Sequence, residues 1–506
     1  MEKIAVINLG SNTARLIIAE VSESGYFKVV DEVKESVRLG QDMTRDGGML
    51  KPNRVAETLK VMKLFRTLCD SYKVDKIFAY ATDAIRAAKN QKGFLDEVAV
   101  TCGIKLRILT QEEQAQLVYT GVINSMDVPK GLIVDIGGGS TQIIYYNRRN
   151  LLNQETLPFG AVTLTDLYKD SDMPQEERMK LITEFVEEHL QKLEWLKTMD
   201  PDTQLIGVGG SFRNLGRISR MMTNYPIEKV HNYRIPMAGF AAIVEKFKTL
   251  DVDKTTKIKG LSSGRADIFH AALASIQAVV DVTDFKEIVI SGNGLREGVL
   301  FKYAVPATAE KPISDVLGYS INSVAYNIDP DNMMHVEQVY FLAMQLFKHL
   351  KVLHKLPRMY VKILKVAAIL HDTGRAVKFY SYNKHSSYII MNSKIYGLPH
   401  RDIIIAAYVA AARKKENFNV QDLVKYKDML VEEDIAAISK LGVILRLAES
   451  FDRAMNGAIK GLTCDVLGDS VIMKTESDTD CSLEIRDALT CCDDFKKAFN
   501  KNLEIL

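Results

Sequence analysis

Two strand-into-glycine segments constrain this chain more than anything else in it. The apolar run Ile4-Ala5-Val6-Ile7 leads into Asn8-Leu9-Gly10-Ser11-Asn12-Thr13, and Gly131-Leu132-Ile133-Val134 leads into Asp135-Ile136-Gly137-Gly138-Gly139-Ser140-Thr141-Gln142. Each reads as a buried strand entering a tight turn of glycine and hydroxyl residues. An apolar, β-rich return follows, Leu16-Ile17-Ile18 in one case and Ile143-Ile144-Tyr145-Tyr146 in the other. Glycine lets a backbone come close to an anion, and successive N–H groups in such a turn form a concavity for phosphate oxygens. One turn of this kind is usually only a turn. Two copies facing each other predict a phosphate clamp between two lobes. The first copy carries an amide, Asn8, where an acid would organise water or metal.

At 506 residues the chain is too long for one core and is expected to form several domains. Residues 1–127 mix strands with amphipathic helices, with a helix over 55–72 feeding a strand over 76–80. Residues 128–305 repeat the theme: a helix over 175–195, a strand over 204–208, and a third small-residue turn at Gly209-Gly210-Ser211. Such alternation implies α/β layers. Residues 305–312, with two prolines, read as a linker. Residues 313–455 show apolar spacings of three and four, as over 339–350, and predict an almost wholly helical region. Residues 456–506 turn short and mixed, with a hairpin expected over 465–473.

Composition excludes some classes. A net charge of +2 lacks the concentrated basic face that nucleic-acid binding needs, and no apolar run reaches membrane-span length. Six cysteines (Cys69, Cys102, Cys464, Cys481, Cys491, Cys492) show no zinc-ligand spacing, and no secretory leader precedes the first strand. Reduced thiols and a cytoplasmic location are the expectation.

Further motifs occur in order: Ala81-Thr82-Asp83-Ala84-Ile85-Arg86, Gln111-Glu112-Glu113-Gln114-Ala115, Leu157-Pro158-Phe159-Gly160-Ala161-Val162, Gly264-Arg265-Ala266-Asp267, and Ser291-Gly292-Asn293-Gly294-Leu295-Arg296-Glu297-Gly298. The two glycine turns look like the phosphate loops of the acetate kinase, sugar kinase, Hsp70 and actin superfamily. The full succession resembles the exopolyphosphatase / guanosine pentaphosphate phosphatase (Ppx/GppA) family over nearly the whole chain. That resemblance implies two actin-like (ribonuclease H-like) α/β lobes, 1–127 and 128–305, then an all-α HD-like domain over 313–455 and a small α+β tail over 456–506. It implies inorganic polyphosphate or guanosine penta/tetraphosphate as the ligand between the lobes, Mg²⁺ or Mn²⁺ held by Asp135, and a homodimer.

By the same resemblance, Asn8, Gly10, Ser11, Asn12, Gly137, Gly138, Gly139, Ser140, Thr141, Gly209, Gly210 and Ser211 contact phosphate. Arg86 and Arg265 join them, because a guanidinium fork suits bidentate phosphate binding. Arg296-Glu297 is read as a structural ion pair near the hinge. Hydrolysis of a phosphoanhydride needs neutralised phosphates, an in-line water and usually a carboxylate to orient it. The family's presumed glutamate base falls on Gln114, its first-turn acid on Asn8, and the glutamate after its second turn on Gln142; Asp135 alone keeps a carboxylate. An amide matches the acid in shape but takes no proton. Two readings therefore stand: a hydrolase using Asp135 with Glu113 or Gln114 near the water, or a catalytically weakened sensor that binds the same polyanion. If 111–115 opens a helix, Glu113 points away from Gln114's direction by about 100°.

The helical region offers a second chemistry. His335, the pair His371-Asp372 and Asp452 reproduce the His…His-Asp…Asp order of the HD phosphohydrolase superfamily, with His385 a further candidate ligand. Imidazole with carboxylate suits a divalent metal that activates water. A phosphohydrolase acting through this site alone is the third reading. Arg413, Lys414 and Lys415 fit the other role, holding a long substrate chain.

Overall fold

A computed structural model describes residues 1–43, 47–169, 173–412 and 420–506. It divides into two compact units, Met1–Ser314 and Asp315–Leu506. The basic segment Arg413–Lys415 lies outside the described residues.

The first unit is built from two sheets. One contains β1 (Glu2–Leu9), β2 (Thr13–Val21), β3 (Phe27–Ser36), β4 (Lys76–Ala81) and β5 (Arg107–Ile108), in the order β3-β2-β1-β4-β5. The other contains β6 (Lys130–Ile136), β7 (Thr141–Asn147), β8 (Asn150–Leu157), β9 (Gln204–Val208), β10 (Tyr233–Pro236) and β11 (Glu287–Ile290), in the order β10-β11-β9-β6-β7-β8. In each, an antiparallel meander of three strands continues into parallel strands through its first member. The second sheet thus repeats the first and adds β10 at its edge.

Both faces of these sheets are covered, which is why the strands read as continuous apolar runs. In β1, Ala5, Ile7 and Leu9 pack with Met62, Phe65 and Val98, whereas Ile4 and Val6 pack with Val118 and Val122 on the other side. Burying each large aliphatic side chain contributes roughly 1.5–3 kcal/mol. The helix Leu295–Ala304 follows the second sheet in sequence but packs against the helix Gln111–Ile123. Two glycines permit it: a Cβ on Gly121 would lie 2.1 Å from the Gly294 carbonyl oxygen, and one on Gly298 would lie 1.9 Å from that of Leu117. The division of this unit at residue 127 therefore does not hold for its last helix.

The expected helix over 55–72 spans Pro52–Ser71, and that over 175–195 ends at Leu190 before a short 3-10 turn. The second unit opens with six longer helices: Val316–Ile328, Met333–His349, Tyr360–Leu370, Tyr382–Asn392, His400–Ala412 and Glu432–Ser450. Val339, Leu342, Ala343 and Leu346, spaced by three and four, are wholly buried in the second of these. A three-stranded sheet follows, made of β12 (Ile459–Leu467), β13 (Ser470–Ser477) and β14 (Asn502–Ile505), where β12 and β13 form a hairpin closed at Leu467 and Ser470. Among the described residues no helix is long and apolar enough to cross a membrane.

Candidate active site

The two glycine turns are one hairpin used twice. Asn8 pairs with Arg15 across β1 and β2, and Asp135 pairs with Gln142 across β6 and β7. Each turn is closed in the same way, the Gly10 N–H donating to the Thr13 carbonyl at 3.0 Å and the Gly137 N–H to the Ser140 carbonyl at 2.9 Å. The turns meet face to face. A Cβ on Gly138 would lie 2.8 Å from Ser11 Cβ, so only glycine admits this approach.

Between them is a cavity of about 110 Å³ lined by Asn8, Gly10, Ser11, Asn12, Gln114, Asp135, Gly137, Gly138, Gln142, Gly209, Gly210 and Arg265. Three further arginines line it, Arg15, Arg213 and Arg296, with the carboxylates Asp83 and Glu297. Several of its polar atoms are buried without a hydrogen-bond partner: Asn8 Oδ1, Ser11 Oγ, Asn12 Nδ2, Gln142 Oε1, Arg265 Nε and Arg296 Nη1. Buried polar groups are normally satisfied, so this set marks a wall shaped for a polar ligand.

The electrostatics point to an anion. Burial and then the neighbouring Arg213 push the Arg265 guanidinium down to about 10. Arg213 is likewise lowered by burial and by Arg296, and Arg15 is lowered well below its ordinary value by burial, Arg213, Arg296 and Arg265. Like charges this close depress one another's ionisation unless an anion enters. Arg15 makes no ion pair among the described residues, and Arg213 Nη1 donates only to the Gly292 carbonyl at 3.2 Å. Opposite them, burial raises Asp135 to about 6, against the pull of Arg213 and Arg265.

Several expected phosphate contacts are turned elsewhere. Arg86 donates to Asp83 Oδ1 at 2.8 Å, to the Leu109 carbonyl at 2.8 Å and to Gln114 Oε1 at 3.3 Å, and does not line the cavity. It holds the site together instead of gripping ligand. Thr141 Oγ1 donates to the Phe159 carbonyl at 2.9 Å, and Ser140 Oγ donates to Asp83 Oδ1 at 2.6 Å while accepting from Gln142. Gly139 is covered by Asp83 and Ser11, and neither it, Ser140 nor Thr141 lines the cavity. Gly209-Gly210-Ser211 is not a separate turn: it opens the helix Gly209–Met222, with the fully buried Ser211 bonded to the Ile136 carbonyl and to Arg265. The Arg265 guanidinium lies directly over Gly210, where a Cβ would approach it to 2.3 Å.

Glu113 is removed from the chemistry. It is the third residue of the helix Gln111–Ile123, where its carboxylate accepts from the Thr110 N–H at 3.0 Å and from Arg107 at 2.6 Å, forming a capping box. Arg107 and then the Thr110 N–H hold it below the usual carboxylate range. Replacing Glu113 by alanine should lower stability by about 1 kcal/mol, the order of one capping interaction, and leave phosphate release unchanged. Thermal melts and a phosphate assay on the same preparation check both halves. Arg296 also departs from expectation: its close partner is Glu32 at 2.7 Å, with Glu297 at 3.7 Å, and its other Nη faces the cavity wall unpaired.

Arg15 and Arg213 are thus the residues no motif contained, while Asp83 and Arg296 stood in motifs without being assigned to the cavity. One signal was present: Arg15 follows Asn8 by seven residues, as Gln142 follows Asp135.

In the second unit His335, His371 and Asp372 converge, one ligand atom from each lying within 4.8 Å of the others. Asp452 is not a fourth member. Its Oδ2 is 2.7 Å from His335 Nδ1, so it orients that ring from behind. His385 is outside the group.

Residues 17–305 match the model of the Ppx/GppA phosphatase family, and residues 320–493 match that of Ppx/GppA phosphatase, domain III. A bifunctional 3-dehydroquinate synthase/phosphatase of Fusobacterium nucleatum is 28% identical over 311 residues, 59% of this chain; the chain spans about half of that protein, 46%. The guanosine-5'-triphosphate,3'-diphosphate pyrophosphatase of Aeromonas hydrophila is 26% identical over 461 residues, covering 88% of this chain and 86% of its own. Among solved structures, an exopolyphosphatase from Cytophaga hutchinsonii is similar over 60% of this chain and 98% of its own, with a TM-score of 0.56 and 26% identity. The Ppx/GppA member from Aquifex aeolicus is similar over 60% and 98%, with a TM-score of 0.52 and 28% identity. With the actin-like α/β fold of those structures and more than half its length matched by one family model, the chain belongs to the Ppx/GppA phosphatase family.

Proposed function

We propose that the chain hydrolyses a terminal phosphoanhydride of inorganic polyphosphate or guanosine pentaphosphate in the cleft between its two sheets. The observation that carries this reading is the convergence of Arg15, Arg213, Arg265 and Arg296 on a cavity that also holds Asp135, whose carboxyl is raised by burial to about 6. The other two lining acids are engaged by Ser140, Arg86 and the Gly294 N–H. The turn N–H groups and the four guanidinium groups would neutralise the phosphate oxygens, which is most of what phosphoryl transfer requires of a protein. Asp135, raised towards neutrality, would orient the attacking water and accept its proton.

The donors fit a divalent cation only with the substrate's help. Asp135 offers a carboxylate and Asn8 a bare amide oxygen, and among the described residues no other metal-ligating side chains gather with Asp135. Mg²⁺ or Mn²⁺ would be held by Asp135 together with phosphate oxygens, as these cations usually are at phosphate sites. When bound, it would add positive charge beside the phosphates.

The test is phosphate release from polyphosphate and from guanosine pentaphosphate by the full chain, with Arg213→Ala as the comparison. Turnover of either substrate, lost in the variant, supports the reading; absence of turnover on both sinks it. Where turnover exists, kcat/KM should rise with pH through an apparent pKa near 6, because Asp135 must be ionised to act and is protonated below that value. A profile flat between pH 5 and 7 would remove Asp135 from the base role.

The second reading, a sensor that binds without cutting, is favoured by the amides at Asn8, Gln114 and Gln142, all of which line the cavity. Gln114 is buried and accepts from Arg86, which fixes its oxygen, and an amide takes no proton. Tight binding without turnover would decide for it.

A further inference from the structure

We propose that a groove between the helix Met333–His349 and the segment 351–361 binds an acidic amphipathic helix of a partner protein.

The groove has a volume of about 560 Å³, and its apolar lining is Phe341, Met344, Phe347, Leu356 and Val361. Its charged lining is Lys348, Lys351 and Arg358, with no acid. Phe341, Met344 and Lys348 are spaced by three and four and so share one face of their helix, over two turns or about 10 Å. Phe341 stays 43% exposed, whereas Val339, Leu342, Ala343 and Leu346 of the same helix are wholly buried in the core. The other wall is fixed in place by His354, a buried residue whose ring stacks at 4.2 Å on Phe347. Its Nδ1 accepts from the Leu356 N–H at 2.9 Å, so the neutral ring carries its proton on Nε2, which donates to the Phe347 carbonyl at 2.7 Å. These bonds hold the turn that presents Leu356, and a groove formed before its partner arrives saves the entropy of ordering.

Charge selects the occupant. The chain has 66 lysines and arginines against 64 acids, yet no acid stands between Glu337 and Asp372, where Lys348, Lys351, Lys355, Arg358, Lys362 and Lys365 all fall. Lys365 is neutralised by Asp315 at 2.6 Å, whereas Lys348, Lys351 and Arg358 make no ion pair among the described residues. An apolar lining adds nothing to the binding of a phosphate chain, and a bilayer takes up apolar side chains that protrude, not ones that wall a groove. None of the lining residues belongs to a strand, so an extended peptide finds no sheet edge to join. A helix with apolar residues at i, i+3, i+4 and i+7 and carboxylates on its flanks meets all of these conditions.

The test presents the full chain to a displayed library of helices of about 18 residues, five turns each. A leucine stripe at i, i+3, i+4 and i+7 is fixed, and the flanking positions vary among Glu, Gln and Lys. Glu-flanked helices should be enriched on the wild type and Lys-flanked ones on Lys348→Glu/Lys351→Glu, where both side chains are exposed. An enriched helix, labelled and followed by fluorescence anisotropy, should bind Phe341→Ser at least about tenfold more weakly, as expected for an aromatic anchor. Melting curves identify a variant that has unfolded, and Met344→Gln then reads the apolar lining in its place. Enrichment without charge preference, or equal binding by the folded Phe341→Ser and Met344→Gln variants, overturns the proposal. Phosphatidylglycerol vesicles bound in place of any helix, or self-association of the chain that Phe341→Ser abolishes, overturns it in favour of a membrane or a second copy.

Discussion

Changing Asp135 to asparagine should cost about 10²–10⁴-fold in kcat, the usual contribution of a positioned acid or base, while substrate binding survives or tightens. The asparagine keeps the shape of the β6 terminus, where Asp135 pairs with Gln142 and with Val208. It removes a negative charge that both Arg213 and Arg265 face, freeing them further for phosphate. Steady-state kinetics beside a direct binding measurement separates the two effects. A proportional loss in both would mean that Asp135 supports the cleft's shape and does not take part in the reaction.

The second large effect runs in the opposite direction. Restoring acids with Asn8→Asp and Gln114→Glu should raise phosphate release by about 10²-fold, the lower end of what a general base provides. The surroundings already suit a carboxylate at 114, since Arg86 donates to that side chain and would make a charge-assisted bond to it. Two added negative charges in the cleft should weaken binding of a polyanion at the same time. Phosphate release and affinity are read on wild type, each single variant and the double. If the double variant is no faster, the amides do not limit the rate; if it alone turns over, the native chain is the sensor.

Much of the fold was legible because local and global signals agree. The runs Ile4–Ile7 and Gly131–Val134 end in glycine turns, and both became the central strands of their sheets. The actin-like resemblance followed from those turns and the motifs between them. The site was legible only along the chain, not across it. Arg15 sits on a return strand and Arg213 and Arg296 on two helices, far apart in sequence, and nothing local marks them as neighbours. Arg86 failed in the opposite way: its motif was noticed, but Asp83 in the same motif claims its charge, and that competition is visible only in three dimensions. Glu113 stands next to Gln114 in the motif, but the cap at Thr110, not that adjacency, decides its direction. In the helical unit the order of His335, His371, Asp372 and Asp452 was readable, whereas the division between inner residues and an outer anchor depends on which ring nitrogen each faces.

The arginine cluster has a consequence for the protein outside any reaction. Guanidinium groups that lower one another's basicity store repulsion in the folded state, and an anion that binds the folded chain but not the unfolded one relieves it. Stability and ligand concentration are then linked variables. Phosphate, pyrophosphate or sulfate in the medium should therefore raise the melting temperature of this unit whether or not anything is ever cut.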